Sequence, residues 1–418
     1  MTTKITEQNI SNLANAGVDW QSVKTGNFTA VAGEGYFVNT TSAAITVTLP
    51  ASPSAGDVIV LKDYARTWGT NKVSLASALL DGATDTTNFN TNGQTVTLVY
   101  MDGTKGWSLI NEDTTNKLEL PTIYTSATGG AITTSGDYKI HTFTGDGSFI
   151  VSSVGNSADN PLGGPNTVSY LVIAGGGSGG SRDRGGGGGA GGFREGRDIG
   201  PSYTASPLVA PSGLTITATT YPVTVGAGAS ANAPSSRGNQ GSPSSFSTIT
   251  SAGGGAGGGD TPDSVPTLAG GSGGGRGVGA IGPGPVEPGG AGNTPPVSPP
   301  QGNNGGGGQH VVNGGSGGGG GAGAVGGNGD GNVPGTGGAG GAGATTSITG
   351  SPVTRAGGGG GGGDSGPRPG GSGGGGAALP GGGPGTANTG GGGGGTDTNG
   401  GTAGAGGKGI VIIRYKFQ

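Results

Sequence analysis

Between Val23 and Asn111 apolar residues fall on alternate positions in short stretches, the pattern of half-buried strands. Ala44-Ile-Thr-Val-Thr-Leu49 predicts one strand, Asp57-Val-Ile-Val-Leu-Lys62 a second, Lys72-Val-Ser-Leu75 a third and Gln94-Thr-Val-Thr-Leu-Val-Tyr100 a fourth. Gly35-Tyr-Phe-Val38 opens the set, and Pro50 to Gly56 is a turn. Asp102-Gly103 is a hairpin turn that returns Gly106-Trp-Ser-Leu-Ile110. Residues 22–112 are therefore expected to form a small β sandwich or barrel, with Trp107, Phe37, Tyr100 and Leu49 in its core. Residues 1–21 carry Ile5, Ile10, Leu13 and Val18 and read as an arm, which suits a short helix, a docking segment or a frayed terminus. A polar linker follows at 113–121.

The strand pattern resumes from residue 122. Asp137-Tyr-Lys-Ile-His-Thr-Phe143 and Ser148-Phe-Ile-Val-Ser152, separated by Gly145-Asp-Gly147, read as a hairpin. Val168-Ser-Tyr-Leu-Val-Ile173 leads into a glycine-dominated stretch that ends at Gly409-Ile-Val-Ile-Ile-Arg-Tyr415. These two strands are expected to share one small sheet, so that 122–174 and 409–418 make a β scaffold and 175–408 an insert.

Composition changes the picture of that insert. Glycine numbers 109 of 418 residues, and 91 of them fall in the 244 residues from Gly175 onward. Glycine plus proline is about 32% of the chain, a level usually associated with disorder, yet the net charge is only −4. The runs 185–192, 253–259, 270–275, 314–321, 337–343, 357–363, 370–376 and 390–395 have similar lengths and are interrupted only by Ala or Ser. Glycine is consecutive, which excludes the strict every-third spacing of collagen. A three-residue-per-turn polyglycine-II helix has no internal hydrogen bonds, so such helices must satisfy their amides on one another. Similar run lengths, apolar anchors such as Tyr221–Val225 and Phe246–Thr250, and matched strands at both ends favour an ordered bundle over irregular β packing or a tether, with Ala and Ser at its surface. The expected fold class is thus mainly β with little α-helix: a sandwich or barrel module, then a β scaffold carrying packed polyglycine-II helices.

Chemical motifs are weak. Gly175, Gly177 and Gly180 match a dinucleotide-loop spacing, but the residues that follow cannot hold the helix that such a loop needs. Gly407-Lys408 fails the phosphate-loop pattern at Thr402 and at Gly409. With no cysteine and two separated histidines, His141 and His310, neither a metal site nor a cofactor is expected. Asp57, Asp63, Asp260 and Asp263 read as turn residues, so catalysis is not expected. Arg182, Arg184 and Arg194 are solvated, or pair with Asp183, Glu195 or Asp198. The slightly acidic balance argues against nucleic acid, and no apolar stretch is long enough for a transmembrane helix.

Two sets of residues resemble known virion proteins. Gly35-Tyr-Phe-Val38, Ile45-Thr-Val-Thr-Leu-Pro50, Pro53-Ser-Ala-Gly-Asp57 and Leu61-Lys-Asp63 resemble a β module of tail-fibre proteins in marine, cyanobacterial-type phages. Leu171 to Gly177, the Gly-Gly-Ala-Gly-Gly-Phe193 block, Tyr221 to Gly226, Ser244-Ser-Phe-Ser247 and Lys408 to Tyr415 resemble the glycine-rich domain of phage tail fibres and adhesins. The resemblance implies a non-catalytic virion protein, made in the host cytoplasm and assembled as a homotrimer. Its N-terminal region would join other tail or baseplate proteins, and its distal glycine-rich domain would present loops to a host receptor. The alternatives are a structural head, neck or tail decoration and a polysaccharide-degrading tailspike. Candidate contact residues on the loops between runs are Arg237, Asn239, Gln240, His310, Asn313, Arg355 and Arg368.

Overall fold

A computed structural model describes residues 17–76, 79–84, 87–110, 122–158, 163–181, 184–198, 203–231, 237–259, 269–278, 286–309, 314–331, 334–364, 366, 368–397 and 401–418. The described residues contain no helix and fall into two compact units, Met1–Thr122 and Ile123–Gln418. The linker at 113–121 and most of the arm lie outside the described residues.

The described residues of the first unit form nine strands: β1 (Asp19–Lys24), β2 (Phe28–Thr29), β3 (Glu34–Val38), β4 (Ile45–Thr48), β5 (Val58–Asp63), β6 (Val73–Ala76), β7 (Thr87–Phe89), β8 (Thr95–Asp102) and β9 (Gly106–Leu109). They form two sheets, in the orders β1-β3-β5-β8-β9 and β2-β4-β6-β7. The module is therefore a sandwich and not a closed barrel. Its first six strands alternate between the sheets and pair in parallel within each, so the chain winds as a flattened coil. Antiparallel pairings of β5 with β8, β8 with β9 and β6 with β7 complete it. The predicted hairpin across Asp102-Gly103 is present, and β1 begins inside what was expected to be the arm.

Alternate residues of both sheets fill the core, among them Val38, Val47, Leu61, Leu75, Leu98 and Trp107. Leu49 is buried with them and Tyr100 packs against the cluster, its ring 5.6 Å from that of Trp107. Phe37 is not in the core. The two-residue strand period sends it to the face opposite Tyr36 and Val38, where it stacks on Trp20 at 4.6 Å. Trp68, in the turn after β5, is fully buried instead, and its Nε1–H donates to the Val38 carbonyl at 3.2 Å.

The second unit has β10 (Ser126–Thr128), β11 (Ala131–Ser135), β12 (Tyr138–Phe143), β13 (Gly147–Ser153), β14 (Thr167–Ile173), β15 (Phe193–Gly196), β16 (Val209–Ala210), β17 (Leu214–Thr215), β18 (Thr220–Thr224), β19 (Ser244–Phe246) and β20 (Ile249–Ser251). Short ribbons of β21 (Val286–Glu287) with β22 (Gly308–Gln309), and of β23 (Ala344–Thr346) with β24 (Val353–Arg355), precede the closing β25 (Ile410–Lys416). One sheet runs β10-β13-β18-β19-β20; the other runs β11-β12-β25-β14-β15-β16, with β17 also on β14. As expected, the two strands that bracket the insert are neighbours, with Tyr170 opposite Ile413 and Ile173 opposite Ile410. The expected hairpin of β12 with β13 does not form. β12 pairs with β11 and β25, whereas β13 crosses to the other sheet and pairs with β10 and β18. The crossing lets Phe143 and Phe149 both enter one apolar cluster with Phe246 and Tyr415.

A buried histidine ties the two sheets. One ring nitrogen of His141, Nδ1, lies 2.7 Å from the Gly129 carbonyl and therefore carries the proton. Nε2 then accepts from the Tyr415 hydroxyl at 3.2 Å, and that hydroxyl oxygen accepts the Ala127 N–H at 3.1 Å. Burial, reinforced by the charge of Lys139, lowers the His141 pKa below 6.5, against a smaller opposing effect of the Gly129 bond. The neutral ring is thus the folded form. Stability of this unit is expected to be full above pH 6.5 and to be lost as pH falls through the lower folded pKa. Denaturant midpoints followed by tyrosine signals across that range test this, and His141→Gln should flatten the dependence.

The glycine runs are polyglycine-II helices. Along 175–180 successive N–H groups address three different neighbours and return to each after three residues. Gly176 and Gly179 donate to Gly407 and Gly404 at 2.9 and 3.0 Å; Gly177 and Gly180 donate to Gly189 and Gly186 at 2.9 and 2.8 Å. Gly175 and Ser178 donate to Ser242 and Asn239, both at 3.0 Å. Run 185–192 is enclosed on every side. Its N–H groups donate to 390–396, 252–258 and 317–320, and its carbonyls accept from 174–180, 272–275 and 359–362. Six neighbours around one three-residue turn is hexagonal packing. Among the described residues no glycine from 175 to 343 has φ between +20° and +160°, so space and not left-handed backbone selects glycine there. Ala and Ser are not confined to the surface, as Ala190, Ser178, Ser272 and Ser316 are all fully buried. Ala190 reaches an apolar cluster with Phe193, Ala322 and Ile348, and the Ser178 hydroxyl accepts the Asn239 N–H at 2.7 Å.

Candidate functional site

Most consecutive runs reverse direction, although 253–259 and 269–278 point the same way, and the bundle has two chemically distinct ends. At one end the chain leaves or joins the scaffold: Ala174 follows β14, Gly192 precedes β15, Gly343 precedes β23, Ala356 follows β24 and Gly409 precedes β25. At the other end stand Ser181 and Arg184, Gly259, Val278, Gln309 and Gly314, Asp364 and Arg368, and Asp397 and Gly401. Their placement follows from the pairings of the runs they terminate. Described residues that flank several of the inter-run segments thus stand at the end away from the sheets, whereas segment 293–300 lies at the scaffold end, where the Gln301 carbonyl accepts the Phe193 N–H at 2.8 Å.

Charged residues cross-link that end. Arg184 Nη1 lies 3.7 Å from Asp364 Oδ2, and its N–H donates to the Asp397 carbonyl at 3.4 Å. The Arg184 carbonyl accepts the Ser316 hydroxyl and the Val278 N–H, the latter at 3.4 Å. Arg276 pairs with Glu287, and Asp330 Oδ1 accepts the Thr336 N–H at 2.6 Å. The expected partners of the arginines are corrected accordingly. Arg184 meets Asp364, Arg194 donates to the Thr250 carbonyl at 3.3 Å, and Asp198 accepts from the Thr167 hydroxyl. Arg182 and Asp183 lie outside the described residues.

Of the candidate contact residues, Arg237 is exposed at the start of run 237–242, on this end. Asn239 and Gln240 follow on the exposed flank; Asn239 Nδ2 donates to the Ser230 carbonyl at 3.3 Å and Gln240 Nε2 to the Ala269 carbonyl at 3.1 Å. Arg368 is half-buried on this end, its carbonyl accepting the Ala378 N–H at 2.8 Å. His310 and Asn313 lie outside the described residues, although the flanking Gln309 and Gly314 stand at this end. Arg355 must be withdrawn. It closes β24 at the sheet end and is only 8% exposed, and burial lowers its pKa. The sequence reading missed Asp330, Asp364, Arg276 and Asp397. Their signal was present, because each stands at or near a run's edge at this end.

A second polar cluster is closed off. Glu195 is buried and accepts the Ser206 N–H at 2.9 Å and the Thr346 hydroxyl at 2.6 Å. Burial, and then the charge of Glu195, raises the Tyr203 pKa. The Arg414 guanidinium sits 4.5 Å over Tyr138 and 5.5 Å over Tyr203, and donates to the Ile348 carbonyl at 3.1 Å. This network locks the sheet to the ribbon of β23 and β24. Among the described residues no three His, Asp or Glu side chains converge as metal ligands, and no helix is long and apolar enough to cross a membrane.

The architecture defines a class: a β scaffold from which a hexagonal bundle of glycine helices projects. Residues 151–416, well over half of the chain, match the family model of a glycine-rich domain, and the chain belongs to that family. No curated protein matches the sequence.

Proposed function

We propose that the protein is a non-catalytic phage virion adhesin of the tail-fibre type, whose glycine-rich unit displays host-contacting loops on a rigid bundle. The observation that carries the reading is the grouping of charged residues that flank inter-run segments, Arg184 with Asp364 and Arg276 with Glu287, at the end away from the scaffold. A backbone-only lattice holds its shape whatever side chains its turns carry, which suits a surface whose loops must vary. The resemblance of both units to tail-fibre segments supports the same reading. It extends to a homotrimer on the tail of the virion, attached through the first unit to other tail or baseplate proteins. Decoration of the head, neck or tail is the second reading.

The test is adsorption. Labelled full-length protein should bind cells of at least one isolate in a panel of marine cyanobacteria and block phage adsorption to them. Arg237→Glu combined with Arg368→Glu should weaken cell binding about tenfold or more, by the weight that arginine carries in interfaces, with thermal unfolding unchanged. Absence of binding across the panel would overturn the adhesin reading in favour of decoration. Loss of cell-surface polysaccharide on incubation would favour a depolymerase.

A further inference from the structure

Strand β11 ends one side of the sheet β11-β12-β25-β14-β15-β16, and among the described residues nothing pairs with its outer side. Ala131, Ile132, Thr133 and Thr134 are all exposed. Native edge strands are ordinarily shielded by charge, proline, irregular pairing or a covering segment. β1, an edge of the first unit, has Asp19, Lys24 and a register shift between Gln21 and Lys24. β11 has none of these. Its sequence, Ala-Ile-Thr-Thr-Ser, is uncharged and rich in β-branched residues, and its pairing with β12 is regular throughout.

The backbone of β11 fixes how another strand would meet it. The Phe417 N–H donates to the Asp137 carbonyl at 2.9 Å, so Asp137, just before β12, points its carbonyl toward β25. Successive residues of a strand point to opposite sides, so Tyr138, Ile140 and Thr142 turn their backbone groups toward β11. There they engage Ser135, Thr133 and Ala131. The N–H and C=O groups of Ile132 and Thr134 are left on the open side. Gly130 and Gly136 flank the strand with φ of 64° and 57°, so the extended segment offers only these two residues.

Ile132 and Thr134 lie symmetrically about Thr133. An antiparallel copy of β11, related by a twofold axis through Thr133, pairs Ile132 with Thr134 twice and satisfies every open group. Thr133 then meets its own equivalent at the non-hydrogen-bonded position, where facing Cα atoms approach to about 4.5 Å. Ala131 comes opposite Ser135, small against small, and no charge faces a like charge. Ile132, 46% exposed, gains a β-branched neighbour. We propose that β11 is a self-recognition edge through which two copies of the chain join their sheets. This contact is independent of the adhesin reading, since it pairs two copies whatever surface the protein serves.

The chain has no cysteine, so a single introduced one reports the contact. Under mild oxidation Thr133→Cys should form an intermolecular disulfide about tenfold or more faster than Thr134→Cys, because only at 133 do equivalent residues face each other within disulfide reach. Both positions are exposed, so access does not separate them. Sedimentation of the full chain should show a concentration-dependent doubling of the basal species, whether that is a monomer or a trimer. Thr133→Lys, which sets two ammonium groups face to face, should abolish the doubling with thermal unfolding unchanged, and Thr133→Val should keep it. Equal cross-linking at 133 and 134, absence of doubling, or doubling indifferent to Thr133→Lys would overturn the proposal and leave the edge to a strand of another protein.

Discussion

Gly188→Ala is expected to destabilise the glycine-rich unit by about 4 kcal/mol or more, a large part of the stability of an ordinary domain. The methyl carbon would sit 2.7 Å from the carbonyl carbon of Gly177 and 2.8 Å from that of Ser178, and closer still to the Gly177 oxygen. These are backbone atoms of a fully enclosed run, so relief requires two helices to separate. Separation would break the bonds from Gly177 N–H to Gly189, at 2.9 Å, and from Gly180 N–H to Gly186, at 2.8 Å, leaving buried amides without partners. Gly381→Ala is the matched control, since a Cβ there meets nothing within 4 Å, and it should change stability by less than about 0.5 kcal/mol. Amide hydrogen exchange across 174–192 and the tyrosine near-ultraviolet signal report the loss. Tryptophan emission should not, because Trp20, Trp68 and Trp107 all belong to the first unit.

In that first unit the largest single effect is expected from Asp63→Ala. The Asp63 carboxylate is 2% exposed and accepts three backbone N–H groups: Thr67 at 3.2 Å, Trp68 at 3.3 Å and Gly93 at 2.8 Å. It organises the turn that inserts Trp68, and Trp68 is the largest fully buried side chain. Removing the acceptor strands the Trp68 donor and loosens the other two, for a loss of about 3–5 kcal/mol. Denaturant unfolding followed by tryptophan emission should show the lowered midpoint. Asp63→Asn, which keeps one acceptor oxygen, should fall between wild type and Asp63→Ala.

Strand positions in both units were legible, because alternation records which residues face a core. Pairing was less so. Val47 and Leu75 alternate with polar residues whether their partner strand is parallel or antiparallel, so the coiled path of the first unit left no trace in period alone. Phe28–Thr29 is too short to register as a strand at all. Gly145-Asp-Gly147 has the chemistry of a hairpin turn, yet it serves a crossover, since the turn does not encode which sheet receives Phe149. The bundle was legible from run length and from the neighbouring strands Ile173 and Ile410. The interior Ser and Ala residues were not, because whether a methyl or hydroxyl fits depends on which third of a turn meets a gap. The candidate loops could be picked out by composition. Which of their flanking residues stand at the distal end, and the removal of Arg355 from their number, required the direction of each run.

The three-residue return of the hydrogen bonds makes run length a quantised variable. Adding or deleting one residue within a run turns everything beyond it by about 120°, so that each amide addresses the wrong neighbour. Adding or deleting three restores every address and shifts the run end by roughly 9 Å. Length variation among such chains should therefore come in threes inside the runs and be unrestricted in the turns. The same arithmetic lets a slipped run satisfy its amides one turn out of place. Correct threading then depends on features outside the glycines: the fixed register of Ile173 with Ile410, and side-chain pegs such as the Ser251 hydroxyl on the Val172 carbonyl at 2.7 Å.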